Sequence, residues 1–219
     1  PLTQVILDRS GTIDKYMGDC IMAFWNAPVD VPDHALKACQ SALAMMNALE
    51  QLNNELSEEA AKSFALQKNE TGGGISLHRG KLHGTTTELL RVGVGINTGT
   101  ACVGNLGSEQ RFDYSALGDS VNLASRLEGQ SKTYGVDILL AEETYAAANQ
   151  LAAVELDLVQ VVGKTEPVRI FALIGDETVK DSTGFDRLTR LQNDMLGAYR
   201  ERQWDNALEI IRQLRNDAA

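Results

Sequence analysis

The sequence predicts a chain that mixes α-helices with β-strands, and three patterns support this fold class. Apolar side chains recur with helical periodicity from Ala35 to Leu56, which predicts a helix over about residues 32–57. Runs rich in β-branched and other apolar residues predict strands around 20–25 and 90–97. Two amphipathic stripes beyond residue 176 predict a pair of C-terminal helices, either a plain appendage or a docking segment.

The composition limits the class of protein. The 219 residues carry a net charge of −10 and are 43% hydrophobic, which suits one domain, or one domain with an appendage. The acidity argues against a nucleic-acid partner, because phosphates need a basic surface. Cys20, Cys39 and Cys102 have no spacing typical of a disulfide framework or a zinc site, so we expect a reducing, cytoplasmic location. No apolar run is long enough to span a membrane.

The segment from Gly11 to Trp25 predicts a hairpin of two short strands around a turn at Gly18-Asp19. Its second strand is nearly all apolar and is predicted to be buried on both faces. Lys15 and Asp19 then lie near the tip of a buried hairpin, where charges are costly unless they have partners. The alternative is an ordinary surface turn.

The middle of the chain is less regular. Residues 57–88 lose the helical pattern and contain a run of glycines, so a flexible loop is expected there. His78 and His83 lie in this loop, but no third ligand is suitably spaced for a metal site. The strand at 90–97 is predicted to pair with residues 100–107 in a second hairpin. The glycines here match no phosphate-binding motif and are more typical of close backbone packing.

A further helix is predicted to start near Gly118, and it places Asn122 and Arg126 on one face. Such a pair could bind a polyphosphate, or it could belong to a solvated helix face. A strand at 136–140 and a helix at 141–150 follow, and then two strands that are joined at 163–166. The stripes of the two last helices are Phe185, Leu188, Leu191, Met195 and Tyr199, then Trp204, Leu208, Ile211 and Leu214.

Three stretches together resemble a known family. They are Lys15-Tyr-Met-Gly-Asp19-Cys-Ile-Met-Ala-Phe-Trp, Val94-Gly-Ile-Asn-Thr-Gly, and Gly118-Asp-Ser-Val-Asn122-Leu-Ala-Ser-Arg126-Leu-Glu. They look like the class III adenylate/guanylate cyclase catalytic domain of bacteria. The resemblance covers roughly residues 1–175, and residues 176–219 are expected to form a C-terminal helical extension outside it.

This resemblance implies an α+β, ferredoxin-like fold with helices packed on one side of the sheet. It also implies a head-to-tail homodimer that converts a nucleoside triphosphate into the 3′,5′-cyclic monophosphate and pyrophosphate, in signal transduction. Two divalent ions, Mg²⁺ or Mn²⁺, are expected at each site of an intact member, where they assist an in-line displacement.

The resemblance also implies roles for individual residues. Asp19 matches the second metal-binding aspartate of the family, and Lys15 matches the lysine that reads the purine. Ser115 stands at the other purine-reading position. Asn122 matches the residue that positions the ribose, and Arg126 matches the arginine that stabilises charge on the α-phosphate.

The predicted substrate follows from the base-reading pair. Adenine offers an acceptor at N1 and a donor at N6. The Lys15 ammonium can donate to N1, and the Ser115 hydroxyl can accept from N6. Guanine presents donors at N1 and N2 and would need a carboxylate, so ATP is the predicted substrate.

Two departures from the family pattern bear on activity. The first metal-binding aspartate of the family lies upstream of Pro1, where this chain lacks an initiator Met, so we expect an N-terminally truncated fragment that is inactive alone. A lysine expected at the terminal phosphates is Val162 here, and Lys164 is the candidate to replace it. The alternatives are an inactive nucleotide-binding or dimerisation module and a scaffold that recruits partners through its helical tail. A regulatory sensor domain is expected in the missing N-terminal part of the longer parent protein. A membrane anchor in that parent protein is also compatible with the sequence.

Overall fold

The computed structural model describes residues 2–70, 89–108, 111–160 and 167–217. The predictions for the glycine run, His78 and His83, and those for Val162 and Lys164, lie outside these residues. The helices are α1 (Leu2–Leu7), α2 (His34–Glu70), α3 (Asp119–Tyr134), α4 (Glu142–Ala147), α5 (Glu177–Lys180), α6 (Thr183–Arg200) and α7 (Trp204–Asp217). The strands are β1 (Thr12–Met17), β2 (Cys20–Phe24), β3 (Val94–Ile96), β4 (Cys102–Ser108), β5 (Arg111–Leu117), β6 (Ile138–Ala141), β7 (Ala152–Val159) and β8 (Val168–Gly175).

A four-stranded sheet with the order β3-β6-β8-β7 forms the centre of the molecule. Strands β3 and β6 are parallel, whereas β8 is antiparallel to both β6 and β7. Two antiparallel hairpins, β1-β2 and β4-β5, are separate from this sheet. The mixed α and β fold and the antiparallel pair β7-β8 are as predicted.

Helices cover both faces of the central sheet. All four residues of β6 are buried, and alternate ones face opposite sides because successive side chains of a strand do so. Ile138 and Leu140 pack in one cluster with residues of α2, while Leu139 and Ala141 pack in a second cluster with residues of α3. The expectation of helices on one side only is therefore wrong, because a strand that is apolar on both faces needs cover on both.

The predicted hairpin between residues 90–97 and 100–107 is wrong. Strand β3 pairs with β6 in the central sheet, and β4 pairs instead with β5. The turn signal at Thr98-Gly99 was local and carried no information about the partner of either strand. The prediction of close backbone packing at the glycines is confirmed at Gly95, where a Cβ would lie 2.2 Å from the Ala124 carbonyl oxygen on α3.

Helix α2 runs to Glu70, beyond the predicted end near residue 57. The two C-terminal helices are present, and the short helix α5 precedes them. Phe185 at the start of α6 is buried against Ala152 and Val154 of β7. Among the described residues, no helix is both long and apolar enough to cross a membrane.

We predict that Gly95→Ala strongly destabilises the fold, because the added methyl would also meet the Glu128 backbone nitrogen at 2.3 Å. Overpacking against backbone costs about 1–3 kcal/mol or more. The control is Gly129→Ala on α3, where a Cβ meets nothing within 4 Å. It should be neutral or slightly stabilising, because Ala favours a helix over Gly. Equal unfolding free energies for the two variants in urea would contradict the packing argument.

Candidate active site

The hairpin β1-β2 carries the first candidate residues. Its turn lies at Gly18 and Asp19 as predicted, and Gly18 has φ 64, which glycine adopts at little cost. Asp19 is exposed at the tip. The prediction that residues 20–25 are buried on both faces is wrong, because Cys20 is exposed and the rest of β2 is half-buried.

A bulge in β1 lies directly before Lys15. Ile13 pairs with Ala23 and Lys15 pairs with Met22, so Asp14 is the extra residue between two consecutive positions of β2. A bulge redirects a side chain relative to a regular strand. Here the Asp14 side chain is 0% exposed although it is charged.

The carboxylate of Asp14 connects the two hairpins. Its Oδ2 accepts a hydrogen bond from the Ser115 hydroxyl at 2.7 Å and another from the Ala116 backbone N–H at 3.1 Å. Its Oδ1 lies 3.2 Å from the Lys15 ammonium. That contact is an ion pair rather than a well-aligned hydrogen bond, since Oδ1 accepts none from the described residues.

Lys15 and Ser115, the two predicted base-reading residues, are thus brought together through a third residue. Ser115 is 3% exposed, whereas the Lys15 side chain is 40% exposed. Asp14 was not predicted from the sequence. The signal that could have found it is the adjacent Asp14-Lys15 pair, two charges inside a strand of a hairpin that is otherwise mostly apolar.

The tip of this hairpin has a negative electrostatic environment. Burial raises the pKa of the Cys20 thiol above its ordinary value, and the charges of Glu128 on α3 and of Asp19 raise it further. Negative charge that disfavours a thiolate favours a cation at the same place.

Asn122 and Arg126 lie one turn apart on α3, and both are exposed. Leu123 and Leu127 of the same helix are buried under the sheet, which fixes the direction in which the polar face points. The helix begins directly after Gly118, whose φ of 150 suits glycine. The predicted helix start and the shared face are confirmed, while the roles of both side chains remain predictions.

The described residues offer the right kind of ligand atom for a divalent ion, but too few such ligands lie together. Asp19 offers the hard carboxylate oxygen that Mg²⁺ prefers. No group of three His, Cys, Asp or Glu side chains within residues 2–70, 89–108, 111–160 and 167–217 could hold a metal. A complete two-metal site would need further oxygen ligands, such as phosphate oxygens or residues outside this set.

Comparison with known proteins identifies the family. Residues 10–175 match the model of the adenylate and guanylate cyclase catalytic domain. The chain therefore belongs to this family of nucleotide cyclase catalytic domains, and the α+β cyclase fold expected from the sequence is confirmed.

Curated relatives include adenylate cyclase 1 of Rhizobium meliloti, which is 32% identical over 174 residues, 79% of this chain. Another is the adenylate cyclase of Anabaena cylindrica, 33% identical over 173 residues, 77% of this chain. The chain spans only 22% and 29% of the lengths of these two relatives.

Two solved structures are similar in fold. The adenylyl cyclase CyaB from P. aeruginosa has a TM-score of 0.55 and 27% identity, and the match covers 80% of this chain and 77% of that one. The guanylyl cyclase Cya2 has a TM-score of 0.58 and 29% identity, with 80% and 75% covered. Since the two act on different purines by their names, the fold alone does not select the base.

We predict that Asp19→Ala weakens divalent-cation binding but leaves the fold intact. An exposed turn residue contributes little to stability, within about 0.5 kcal/mol. Calorimetric titration with Mn²⁺, with and without ATP, should show at least about a tenfold loss of affinity. The matched control is Asp30→Ala, an exposed aspartate on the connector after β2, which should bind as the wild type does. Unchanged Mn²⁺ affinity together with a lost fold would refute the assignment of Asp19.

Proposed function

We propose that this chain is the catalytic domain of an adenylate cyclase that converts ATP into 3′,5′-cyclic AMP and pyrophosphate. The observation that carries the proposal is the placement of Lys15 and Ser115 on either side of one buried carboxylate. A cation that donates and a hydroxyl that accepts, held next to each other, complement N1 and N6 of adenine. The names of the curated relatives at 32% and 33% identity agree with this substrate.

The residues of α3 supply the chemistry in this proposal. Asn122 orients the ribose so that its 3′-oxygen faces the α-phosphorus. The 3′-oxygen attacks, the bond from the α-phosphorus to the bridging oxygen breaks, and pyrophosphate leaves with the electron pair. Arg126 donates hydrogen bonds to the α-phosphate oxygens, on which charge builds during the displacement. Lys164 is proposed to contact the terminal phosphates.

Mg²⁺ or Mn²⁺ held with the help of Asp19 would neutralise the triphosphate and favour loss of the 3′-hydroxyl proton. The other contributions, which are orientation of the ribose and stabilisation of the phosphates, come from side chains of this protein. Asn122 and Arg126 are both exposed, so neither side chain has to leave a buried position to reach a substrate.

We further propose that the active form is a homodimer, in which Asp19 of one subunit faces Asn122 and Arg126 of the other. Two-fold symmetry then builds two equivalent sites. The support is a set of large apolar side chains that the two hairpins leave exposed, and these are Tyr16, Met17, Phe112 and Leu117. Apolar surface of this kind is typical of an interface.

Arg126→Ala tests the catalytic proposal. Cyclic AMP production from ATP with Mn²⁺, assayed in the full-length protein, should show kcat reduced about 100-fold or more while KM changes little. This is the expected result for an interaction made mainly in the transition state. The matched control is Lys132→Ala, an exposed cation in the last turn of the same helix.

The control should keep wild-type kinetics. A change in KM alone for Arg126→Ala would refute the transition-state role. ATP binding without any turnover by the wild type would instead support the alternative function, a catalytically inactive module that binds nucleotide or dimerises.

Phe112→Ser tests the dimer. Phe112 is 62% exposed on β5, and its replacement should weaken self-association at least about tenfold, because apolar contact is lost at the proposed interface. Light scattering across a concentration series measures the effect. Val29→Ser is the control, since Val29 is 70% exposed on the connector after β2 and belongs to neither hairpin. A strictly monomeric wild type that is active would overturn the shared site.

A further inference from the structure

Asp14 is a buried charged residue that has no assigned role in the proposed reaction. It occupies the bulge of β1, its side chain is 0% exposed, and it bonds across to β5 at positions 101 and 102 residues away. A buried carboxylate needs compensation, and this one receives two hydrogen bonds and one ammonium. A residue with only a structural role in the strand would not need a charge at this position.

The first consequence concerns the hydrogen of the Ser115 hydroxyl. A serine hydroxyl has one hydrogen to donate and two lone pairs that accept. In this structure the hydrogen is donated to Asp14 Oδ2 at 2.7 Å. The same oxygen is held in place by the Ala116 N–H, which belongs to the neighbouring residue of the strand. Ser115 therefore has only acceptor capacity left for any ligand.

The second consequence concerns Lys15. Its ammonium lies 3.2 Å from the other oxygen of the same carboxylate, while the side chain remains 40% exposed. The contact holds the Lys15 ammonium, which can only donate, close to the Ser115 hydroxyl, which can now only accept. One carboxylate thus fixes the hydrogen-bonding direction of Ser115 and the position of Lys15.

We propose that Asp14 is a positioning residue that makes Ser115 an obligatory acceptor, and so selects a 6-aminopurine nucleotide over a 6-oxopurine nucleotide. The inference rests on the proposed function, because it assumes that Lys15 and Ser115 contact the base. Adenine meets this pair with an acceptor at N1 and a donor at N6. Guanine meets it with a donor at N1 against the ammonium and an acceptor at O6 against the serine lone pairs, and both contacts are repulsive.

The experiment compares binding of the α,β-methylene analogues of ATP and GTP, which cannot release pyrophosphate, by calorimetry on the full chain. The wild type should prefer the ATP analogue. Asp14→Ala frees the Ser115 hydroxyl to rotate and donate to O6, so the preference should fall about five- to tenfold, the worth of one hydrogen bond. Ser115→Ala should lower the preference as well, because the acceptor is removed.

Two further variants separate positioning from a structural role. Asp14→Asn retains an oxygen that can accept from Ser115 and Ala116 but lacks the charge facing Lys15. It should keep the ATP preference while it weakens binding of both analogues. In the double variant with Asp14→Ala and Ser115→Ala, the preference should be no lower than with Ser115→Ala alone, since Asp14 acts through Ser115.

Asp113→Asn is the matched control, because this exposed aspartate lies on the same strand as Ser115 and its change has the same chemistry. It should behave as the wild type does. If Asp14→Ala does not fold, Asp14→Ser takes its place. The new hydroxyl can accept from the Ala116 N–H, but unlike a carboxylate it can also donate, so it does not force Ser115 to act as the donor. A smaller shift in the same direction is then expected.

The outcomes distinguish the inference from the function on which it rests. A wild type that binds the ATP analogue in preference, with a ratio that Asp14→Ala or its substitute Asp14→Ser leaves unchanged, refutes the role of Asp14 alone. A lower melting temperature with an unchanged ratio means that Asp14 is only structural, which also refutes it. A wild type that binds neither analogue, or both equally, refutes the proposed function and the inference together.

Discussion

The carboxylate of Asp14 is the contact on which the arrangement of the candidate site depends. It is a charge without exposed surface, bonded to Ser115 and Ala116 and paired with Lys15. Loss of a partner from a buried charge is destabilising, because the remaining charge stays desolvated. The two hairpins are therefore held in one relative position by a polar contact, and a ring contact between Phe24 and Tyr114, with centroids 6.0 Å apart, packs beside it. Both base-reading candidates inherit their places from this junction.

The second half of the candidate site is positioned by packing. Helix α3 lies directly on β3 because Gly95 has no side chain that would meet the backbone at Ala124 and Glu128. Leu123 and Leu127 complete the contact beneath the sheet. With these faces buried, Asn122 and Arg126 must point outward. The polar face of α3 thus follows from a close approach of backbone to backbone, whereas the hairpin junction follows from charge.

Family membership and substrate choice are separate questions for this protein. The catalytic-domain match and the two similar cyclase structures establish the fold and the class of enzyme family. One of those structures is an adenylyl cyclase and the other a guanylyl cyclase by name, with nearly equal similarity to this chain. The difference between the two purines amounts to a few donors and acceptors at the base edge. Substrate choice therefore depends on the proton positions of very few side chains, which overall similarity does not report.

Local patterns in the sequence were enough for the turn at Gly18-Asp19, the start of α3 after Gly118, the pair β7-β8 and the C-terminal helices, because each depends on neighbours along the chain. They were not enough for the partner of β3, the cover on the second face of the sheet or the role of Asp14. Strand pairing and burial depend on residues far apart in sequence, and Asp14 meets Ser115 only after the chain has folded over 101 positions. The sequence alone determined which residue types stand at the candidate positions for a nucleotide, and their intrinsic donors and acceptors follow from residue type. Only the tertiary structure decided which of these donors and acceptors remain unused, because that depends on the groups that lie beside each side chain.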